Sequence, residues 1–216
     1  FAGPDGKSIP VLRNLSCSLI ATGFLGAMTA VLLRWEWWQA KFRWRPFTLE
    51  ERLLTESRIL WDYVAQWYIP DVSTMGIYHD DVVVSTSLDH PPTTKFAIMA
   101  WLGLLVLFAA ALFWRWGRYL VLGVALFLVG HSIEASVFSL ELYFEHRNYF
   151  PGVGLFLLLG ALYALLARRW PQTAPPLLVY LACYVLWLAS LTGSQVQIWS
   201  SRPLLILNHL NAHPGS

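Results

Sequence analysis

The chain carries little charge for its length, since only 13% of its 216 residues are Asp, Glu, Lys or Arg. A soluble domain carries about 25%, so the composition argues against a soluble fold. The formal net charge of +2 is too small to indicate nucleic acid as a partner. Only two cysteines are present, both inside apolar runs, which favours buried hydrophobic side chains over a disulfide or a metal site.

Motifs of several familiar enzyme classes are also missing. The sequence has no G-x-S-x-G elbow, no H-E-x-x-H pair and no Gly-rich phosphate loop. The segment that starts at His131 and reaches Glu134 lacks the second histidine of a zinc protease. The motifs therefore argue against serine hydrolases, zinc proteases and P-loop enzymes.

Apolar residues are abundant instead: 56% of the chain is hydrophobic and 12 residues are Trp, a residue that concentrates at membrane boundaries. A spanning helix needs about 20 mostly apolar residues, and about five windows approach that length. We therefore predict an all-α polytopic transmembrane bundle of about five spanning helices. The windows are Val11–Leu33, Phe96–Trp114, a stretch from Tyr119, Gly152–Ala167 and Pro176–Gly193.

The segment 34–95 differs from these windows and is expected to lie outside the membrane. Its first part, Arg34–Arg45, interleaves cations with tryptophans, as an interfacial belt does. An amphipathic helix then follows, with Thr48 and Glu51 forming a capping box and Pro70 ending it. Because this helix carries several charges, we expect it to lie in the membrane interface rather than to span.

The charge distribution predicts an orientation. The turns with Arg115 and Arg118, and with Arg168 and Arg169, contain no acidic residue, which favours a cytoplasmic location. Five crossings then place segment 34–95 and the C-terminus outside. The predicted domains are a membrane domain over 1–193 and an amphipathic linker over 194–216.

The stretch "HSIEASVFSLELYFEHRNYFP" (131–151) places ionisable groups beside an apolar run. Helical spacing would align His131, Glu134, Glu141 and Glu145 on one face. Ionised groups within a membrane are costly, so the spacing favours a functional cavity at the outer leaflet. The alternative is an interfacial segment whose charges reach water, with Arg147 paired to a neighbouring glutamate.

Two other polar clusters offer weaker candidates. His79, Asp80 and Asp81 could bind a metal, or one carboxylate could act as a base, but a solvated loop explains them equally well. The cations of Arg34–Arg45, together with Arg52 and Arg58, suit a lipid phosphate or pyrophosphate. Simple anchoring to anionic headgroups is the alternative.

The segments "ERLLTESRILWDYV", "HDD" and "GHSIEAS…LELYFEHRNYFPGVGL" resemble bacterial polytopic membrane proteins that carry C-terminal tetratricopeptide repeats. These are similar to the transmembrane and tetratricopeptide-repeat O-mannosyltransferases, which are GT-C glycosyltransferases. Arg52-Leu53-Leu54-Thr55 loosely matches that family's Arg-x-Leu-Thr segment. Arg147-Asn148-Tyr149-Phe150-Pro151 loosely matches its Arg-x-x-Tyr-x-Pro segment. Where family members often have Pro before a Leu-Glu pair, this chain has Ser139.

The resemblance implies a fragment of a bacterial inner-membrane glycosyltransferase that moves a sugar from a polyprenyl-phosphate carrier to a periplasmic protein or glycan acceptor. A repeat domain would follow in the periplasm. It implies that Arg147 neutralises the donor phosphate, and that a cavity is lined by Glu145, His146, Asn148 and Tyr149. Sugar contacts would come from His131, Glu134 and Glu141, donor contacts from Arg52 and Arg58, and acceptor or divalent-cation contacts from Asp80 and Asp81.

The family's catalytic acid lies in a first outer loop that this segment lacks, so the segment alone is expected to be inactive unless Asp80 or Asp81 takes that role. Two other functions stay open. One is a non-catalytic membrane anchor that presents periplasmic repeats for envelope assembly, in which the polar stretch holds helices together. The other is an oligosaccharide ligase or polymerase that acts on a lipid-linked donor.

Overall fold

The computed structural model describes residues 10–76, 78–114 and 117–213, and every regular element in these ranges is helical. The expectation of an all-helical chain is therefore confirmed for this part of the protein. The helices are α1 (Pro10–Leu33), α2 (Trp35–Ala40), α3 (Leu49–Tyr68), α4 (Thr93–Leu112), α5 (Gly117–Gly130), α6 (Tyr149–Arg169), α7 (Ala174–Ser200) and α8 (Arg202–Ala212).

Within the described ranges, three helical stretches are long and apolar enough to cross a membrane: Thr93–Leu112, Glu145–Arg169 and Pro171–Ser200. They correspond to the second, fourth and fifth predicted windows. The third window forms only a shorter apolar helix, α5. In the first window, the described apolar part of α1, Ala21–Leu33, is also shorter than a span. The helix of the fifth window continues to Ser200, past the domain limit predicted at residue 193.

The chain divides into two compact units, residues 1–49 and residues 50–216. In the first unit, Lys41 lies over the Trp37 ring at 4.4 Å and Arg43 over the Trp44 ring at 5.2 Å. Trp44 is exposed. These are cation–π contacts, and an interfacial location for this segment stays a prediction.

In the second unit, α5 and α6 pack closely because glycines face each other. A Cβ on Gly123 would lie 2.8 Å from the carbonyl oxygen of Gly154, so neither position has room for a side chain. The core beside this crossing is formed by Ile59 and Tyr63 of α3 together with Phe127 and Leu155. The helix α3 therefore packs against the α5–α6 pair.

The expectation that α3 lies in the membrane interface stays a prediction, but two of its charged side chains do not face water. The side chains of Arg52 and Glu56 are buried, with relative exposures of 0% and 4% for the residues. Arg58 is half-buried and Asp62 is exposed. The polar groups of the segment 131–144 take the place of water for Arg52, as described below, and this explains why a charged helix face can turn inward.

The expectation of a helical face through residues 131–145 is also wrong. The helix α5 ends at Gly130, turns follow over 131–137, and residues 138–144 form no helix. Regular structure resumes with a 3₁₀ turn at Glu145–Asn148. The chain leaves the helix here although Ser139 stands where the resemblance implies proline, and backbone carbonyl oxygens of this segment accept hydrogen bonds from Arg52.

Candidate functional site

Arg52 organises the polar segment 131–144 from inside. Its Nε donates to the carbonyl oxygen of Ser136 at 3.1 Å, and its Nη1 donates to those of Leu140 at 2.6 Å and Glu141 at 3.4 Å. Its Nη2 donates to the carbonyl oxygen of Glu134. One fully buried guanidinium thus satisfies four backbone acceptors that no helix pairs, which fixes the path of the segment.

Glu56, one turn further along α3, forms an ion pair with the Nη2 of Arg52 at 3.0 Å. Burial raises the pKa of Glu56 to about 8, and the attractions of Arg52 and Arg147 offset only part of this desolvation. The Glu56 carboxyl is therefore largely protonated, and so uncharged, at neutral pH. The main effect of the pair is to place a carboxyl group beside the guanidinium that holds the segment.

Tyr63 holds the end of the same segment. Its hydroxyl accepts a hydrogen bond from the Phe144 backbone N–H at 2.9 Å and donates one to the Phe144 carbonyl oxygen at 3.2 Å. The Tyr63 ring stacks on His131, with centroids 5.0 Å apart and planes 7° apart. Burial raises the pKa of the Tyr63 hydroxyl, which therefore stays protonated as a donor.

His131 and Asn148 close this framework. The ring Nε2 of His131 lies 3.4 Å from Asn148 Oδ1, while Asn148 Nδ2 donates to the Tyr63 carbonyl oxygen at 3.0 Å. Burial lowers the pKa of His131 to about 4, so the ring is neutral at physiological pH. The structure places both residues inside, buried among α3 and α5 residues, and the contacts with substrate predicted for them stay predictions.

Arg147 lies at the accessible edge of the framework. Its Nη1 donates to the Glu141 carbonyl oxygen at 2.9 Å, and its Nη2 contacts the Glu141 carboxylate at 3.2 Å. A Glu134 carboxylate oxygen lies 3.9 Å from Nε, and the guanidinium covers the Phe144 ring at 4.7 Å. Because its side chain is 13% exposed, Arg147 can be reached from outside the protein.

The two glutamates beside Arg147 are also accessible. The side chains of Glu134 and Glu141 are 30% and 47% exposed. One oxygen of Glu134, Oε2, is buried and has no hydrogen-bond partner among the described residues. Burial raises the pKa of Glu134 despite the nearby Arg147. His146 and Tyr149 are exposed next to this edge, so a polar ligand could meet a cation, two carboxylates and two rings here.

The loop with His79 and Asp81 forms a second cluster. His79 Nε2 lies 3.0 Å from Glu145 Oε1, so Glu145 faces this loop rather than Arg147. Asp81 Oδ1 lies 2.8 Å from His213 Nδ1, and His213 Nε2 lies 2.8 Å from the Thr74 carbonyl oxygen. Asp80 is exposed.

This second cluster joins two histidines to two carboxylates through side-chain contacts. Within residues 10–76, 78–114 and 117–213, no group of three or more His, Cys, Asp or Glu residues is arranged to hold a metal ion. Of the two aspartates, Asp81 contacts His213.

Sequence reasoning missed three residues of these clusters. Glu56 could have been found, because it lies four residues after Arg52 on a helix and such pairs are neighbours. Tyr63 and His213 carried no usable signal, since their partners lie 81 and 132 residues away in the chain.

Comparisons with protein-family models, curated proteins and solved structures found no match for this chain.

Proposed function

We propose that this chain is part of a membrane glycosyltransferase that takes a sugar from a polyprenyl-phosphate carrier. The observation that carries the proposal is the accessible edge formed by Arg147, Glu134 and Glu141. A guanidinium suits phosphate oxygens, and carboxylates suit sugar hydroxyls. A phosphate-linked sugar needs both kinds of group within a short distance.

The rigid framework behind this edge supports the proposal. Arg52 and Tyr63 fix the backbone on which Arg147 stands, so the cation is positioned before a ligand arrives. Preorganised charge of this kind stabilises a leaving phosphate more than a mobile side chain would. Arg147 would neutralise the carrier phosphate, while Glu134 and Glu141 would exchange their contacts with Arg147 for sugar hydroxyls.

The proposed topology has five crossings, with the C-terminus in the periplasm of a bacterium and the chain in its inner membrane. The acid-free arginine turns support a cytoplasmic location for those turns. The edge at Arg147 precedes α6 and would then open at the outer leaflet. Asp80 is exposed on the same predicted side and is the candidate for contact with the acceptor.

The test uses the full-length protein with Arg147→Ala and Arg147→Lys, measuring glycan transfer and membrane abundance. We expect Arg147→Ala to lower transfer by about tenfold or more while abundance stays near that of the wild type. Arg147→Lys keeps the charge but not the fork geometry, so it should recover part of the activity.

The control is Arg169→Ala, which removes an exposed cation from the opposite end of α6. It should leave both readouts unchanged. Unchanged transfer in an abundant Arg147→Ala protein would contradict the phosphate-binding role.

One observation favours a second candidate, a non-catalytic anchor for a following periplasmic domain. The helices α7 and α8 are bound to the loop after α3. The side-chain amides of Gln195 and Asn208 donate to the carbonyl oxygens of Val72 and Met75, respectively. His213 contacts the Asp81 carboxylate. Such fastening would hold an attached domain in a defined position. Normal envelope assembly by an Arg147→Ala protein would favour this function.

A further inference from the structure

A cleft of about 330 Å³ lies between α3 and the first turns of α4. This volume falls in the range of small-molecule sites, roughly 300–1,000 Å³. Its apolar part is formed by Trp61, Phe96, Ala97 and Ala100. Because α4 is one of the three helices of spanning length, an apolar cleft along its start lies where lipid chains meet headgroups.

The polar part of the cleft contains one cation and one anion. The Nη1 of Arg58 donates hydrogen bonds to the Val83 carbonyl oxygen at 2.8 Å and to the Ser85 hydroxyl at 3.2 Å. The described residues provide no hydrogen-bond partner for its Nε and Nη2. Asp62, one turn further on, lines the same cleft and accepts no hydrogen bond from the described part of the chain.

These two groups also do not pair with each other, because no oxygen of Asp62 lies within 4.0 Å of the Arg58 nitrogens in the described ranges. Although Asp62 is exposed, neighbouring atoms partly desolvate its carboxyl and raise its pKa, with Arg58 opposing this only in part. An added cation beside Asp62 would relieve that desolvation. The cleft therefore presents two opposite charges that an external group can satisfy separately.

We propose that this cleft binds a phospholipid with a zwitterionic, amine-bearing headgroup. The phosphate meets the free donors of Arg58, the primary ammonium meets the Asp62 carboxylate, and the upper acyl chain lies against Phe96 and Ala100. The Thr93 hydroxyl borders the headgroup region. This assignment involves neither Arg147 nor its glutamates, and it gives Arg58 a phospholipid partner in place of the sugar donor that the resemblance implies.

The charge pattern distinguishes between headgroups. A quaternary choline has no N–H to donate to Asp62, so it loses the hydrogen bond that an ethanolamine makes. A glycerol headgroup offers no cation, so it leaves the carboxylate next to an anionic lipid. Ethanolamine lipids should therefore bind more tightly than choline or glycerol lipids with the same acyl chains.

The experiment is native mass spectrometry of the purified full chain in detergent, titrated with dioleoyl lipids that differ only in headgroup. We expect the ethanolamine lipid to bind about tenfold more tightly than the choline and glycerol lipids, as one charge-assisted hydrogen bond allows. Equal affinities for the three lipids, or a preference for the glycerol lipid, would overturn the proposal.

Variants separate the parts of the site. Asp62→Asn keeps the side-chain shape and should remove the preference for ethanolamine over choline. Ala100→Trp fills the apolar part and should lower binding of all three lipids. Arg58 also forms hydrogen bonds with residues 83 and 85. Because its substitution would change lipid binding and this loop together, the test leaves Arg58 unchanged.

The matched control is Lys95→Gln, which removes an exposed cation from the same first turn of α4. Lys95 pairs with Asp89 at 2.7 Å and does not line the cleft. The Lys95→Gln protein should show the same headgroup preference as the wild type. A preference that survives Asp62→Asn, or disappears in Lys95→Gln, would contradict the site.

Discussion

Arg52 and Arg147 both contact the segment 131–144, but they do so in opposite ways. Arg52 is fully buried and binds four backbone carbonyl oxygens, whereas Arg147 is partly exposed and faces two carboxylates. Backbone carbonyls cannot leave the segment without unfolding it. Carboxylate side chains can rotate away and accept another partner.

The difference shows that the charge of a residue does not decide its function in this protein, whereas its surroundings do. The two arginines have the same chemistry and both belong to motifs that suggest phosphate binding. Burial makes Arg52 part of the scaffold, and exposure leaves Arg147 available to a ligand. The following substitutions test this contrast.

The largest effect is expected for Arg52→Met. The substitution leaves the carbonyl oxygens of Glu134, Ser136 and Leu140 without donors and Glu56 without its cation. Each buried acceptor left without a partner costs about 1–3 kcal/mol, and several lose their donor together. We expect a large loss of membrane abundance and a lower Tm, measured by tryptophan fluorescence in detergent.

Arg147→Met is the matched control for that change, because it removes the same group from the accessible edge. Its carboxylate partners, Glu134 and Glu141, are 30% and 47% exposed, so water screens these ion pairs. The loss in free energy of unfolding should therefore stay below about 1 kcal/mol. Equal losses of stability in Arg52→Met and Arg147→Met would contradict the distinction between a structural Arg52 and an accessible Arg147.

Tyr63→Phe should have an intermediate effect. It removes the hydroxyl that bonds both the N–H and the carbonyl oxygen of Phe144. A buried polar group left without its partner costs about 1–3 kcal/mol. Hydrogen exchange at the Phe144 amide should accelerate, whereas Tyr78→Phe, at an exposed ring, should leave that amide protected. Unchanged exchange in Tyr63→Phe would contradict the role of this hydroxyl.

The pH dependence of stability gives a smaller, sharper test. Folding raises the pKa of Glu56 from 4.5 to about 8, so the folded chain keeps a proton that the unfolded chain has lost, and stability falls with pH in that range. Folding lowers the pKa of His131 from 6.5 to about 4, which makes stability rise with pH between those values. The two effects oppose each other below pH 6.5.

Only the Glu56 effect continues between pH 6.5 and 8. There the free energy of unfolding should fall by on the order of 1–2 kcal/mol in the wild type. Glu56→Gln, which cannot titrate, should show a flatter profile in the same window. Parallel profiles for the two proteins would mean that Glu56 is not the buried acid described here.

The sequence predicted the fold where local patterns decide it. Apolar length predicted three helices of spanning length in the described residues, and Thr48, Glu51 and Pro70 predicted the limits of α3. The segment 131–144 was predicted wrongly because its conformation depends on Arg52, which is more than 80 residues away. Helical spacing is a local signal and cannot include such a partner.

The candidate site shows the same limit. The motif around Arg147 singled out an accessible cation, and nearby Glu134 and Glu141 are within reach of local reasoning. The same pattern also suggested Arg52 as a ligand contact, although tertiary packing encloses it. The pairs Asp81–His213 and His79–Glu145 required the folded chain, because nothing in the sequence brings them together.

The smallest effect on stability is expected at Arg147, and one measurement there tests the central claim. The Tm of wild type and Arg147→Gln is measured with and without polyprenyl monophosphate. We expect similar Tm values without the lipid, and a lipid-induced increase in the wild type that Arg147→Gln lacks. An equal increase in both proteins would contradict the assignment of Arg147 as the accessible phosphate-binding residue.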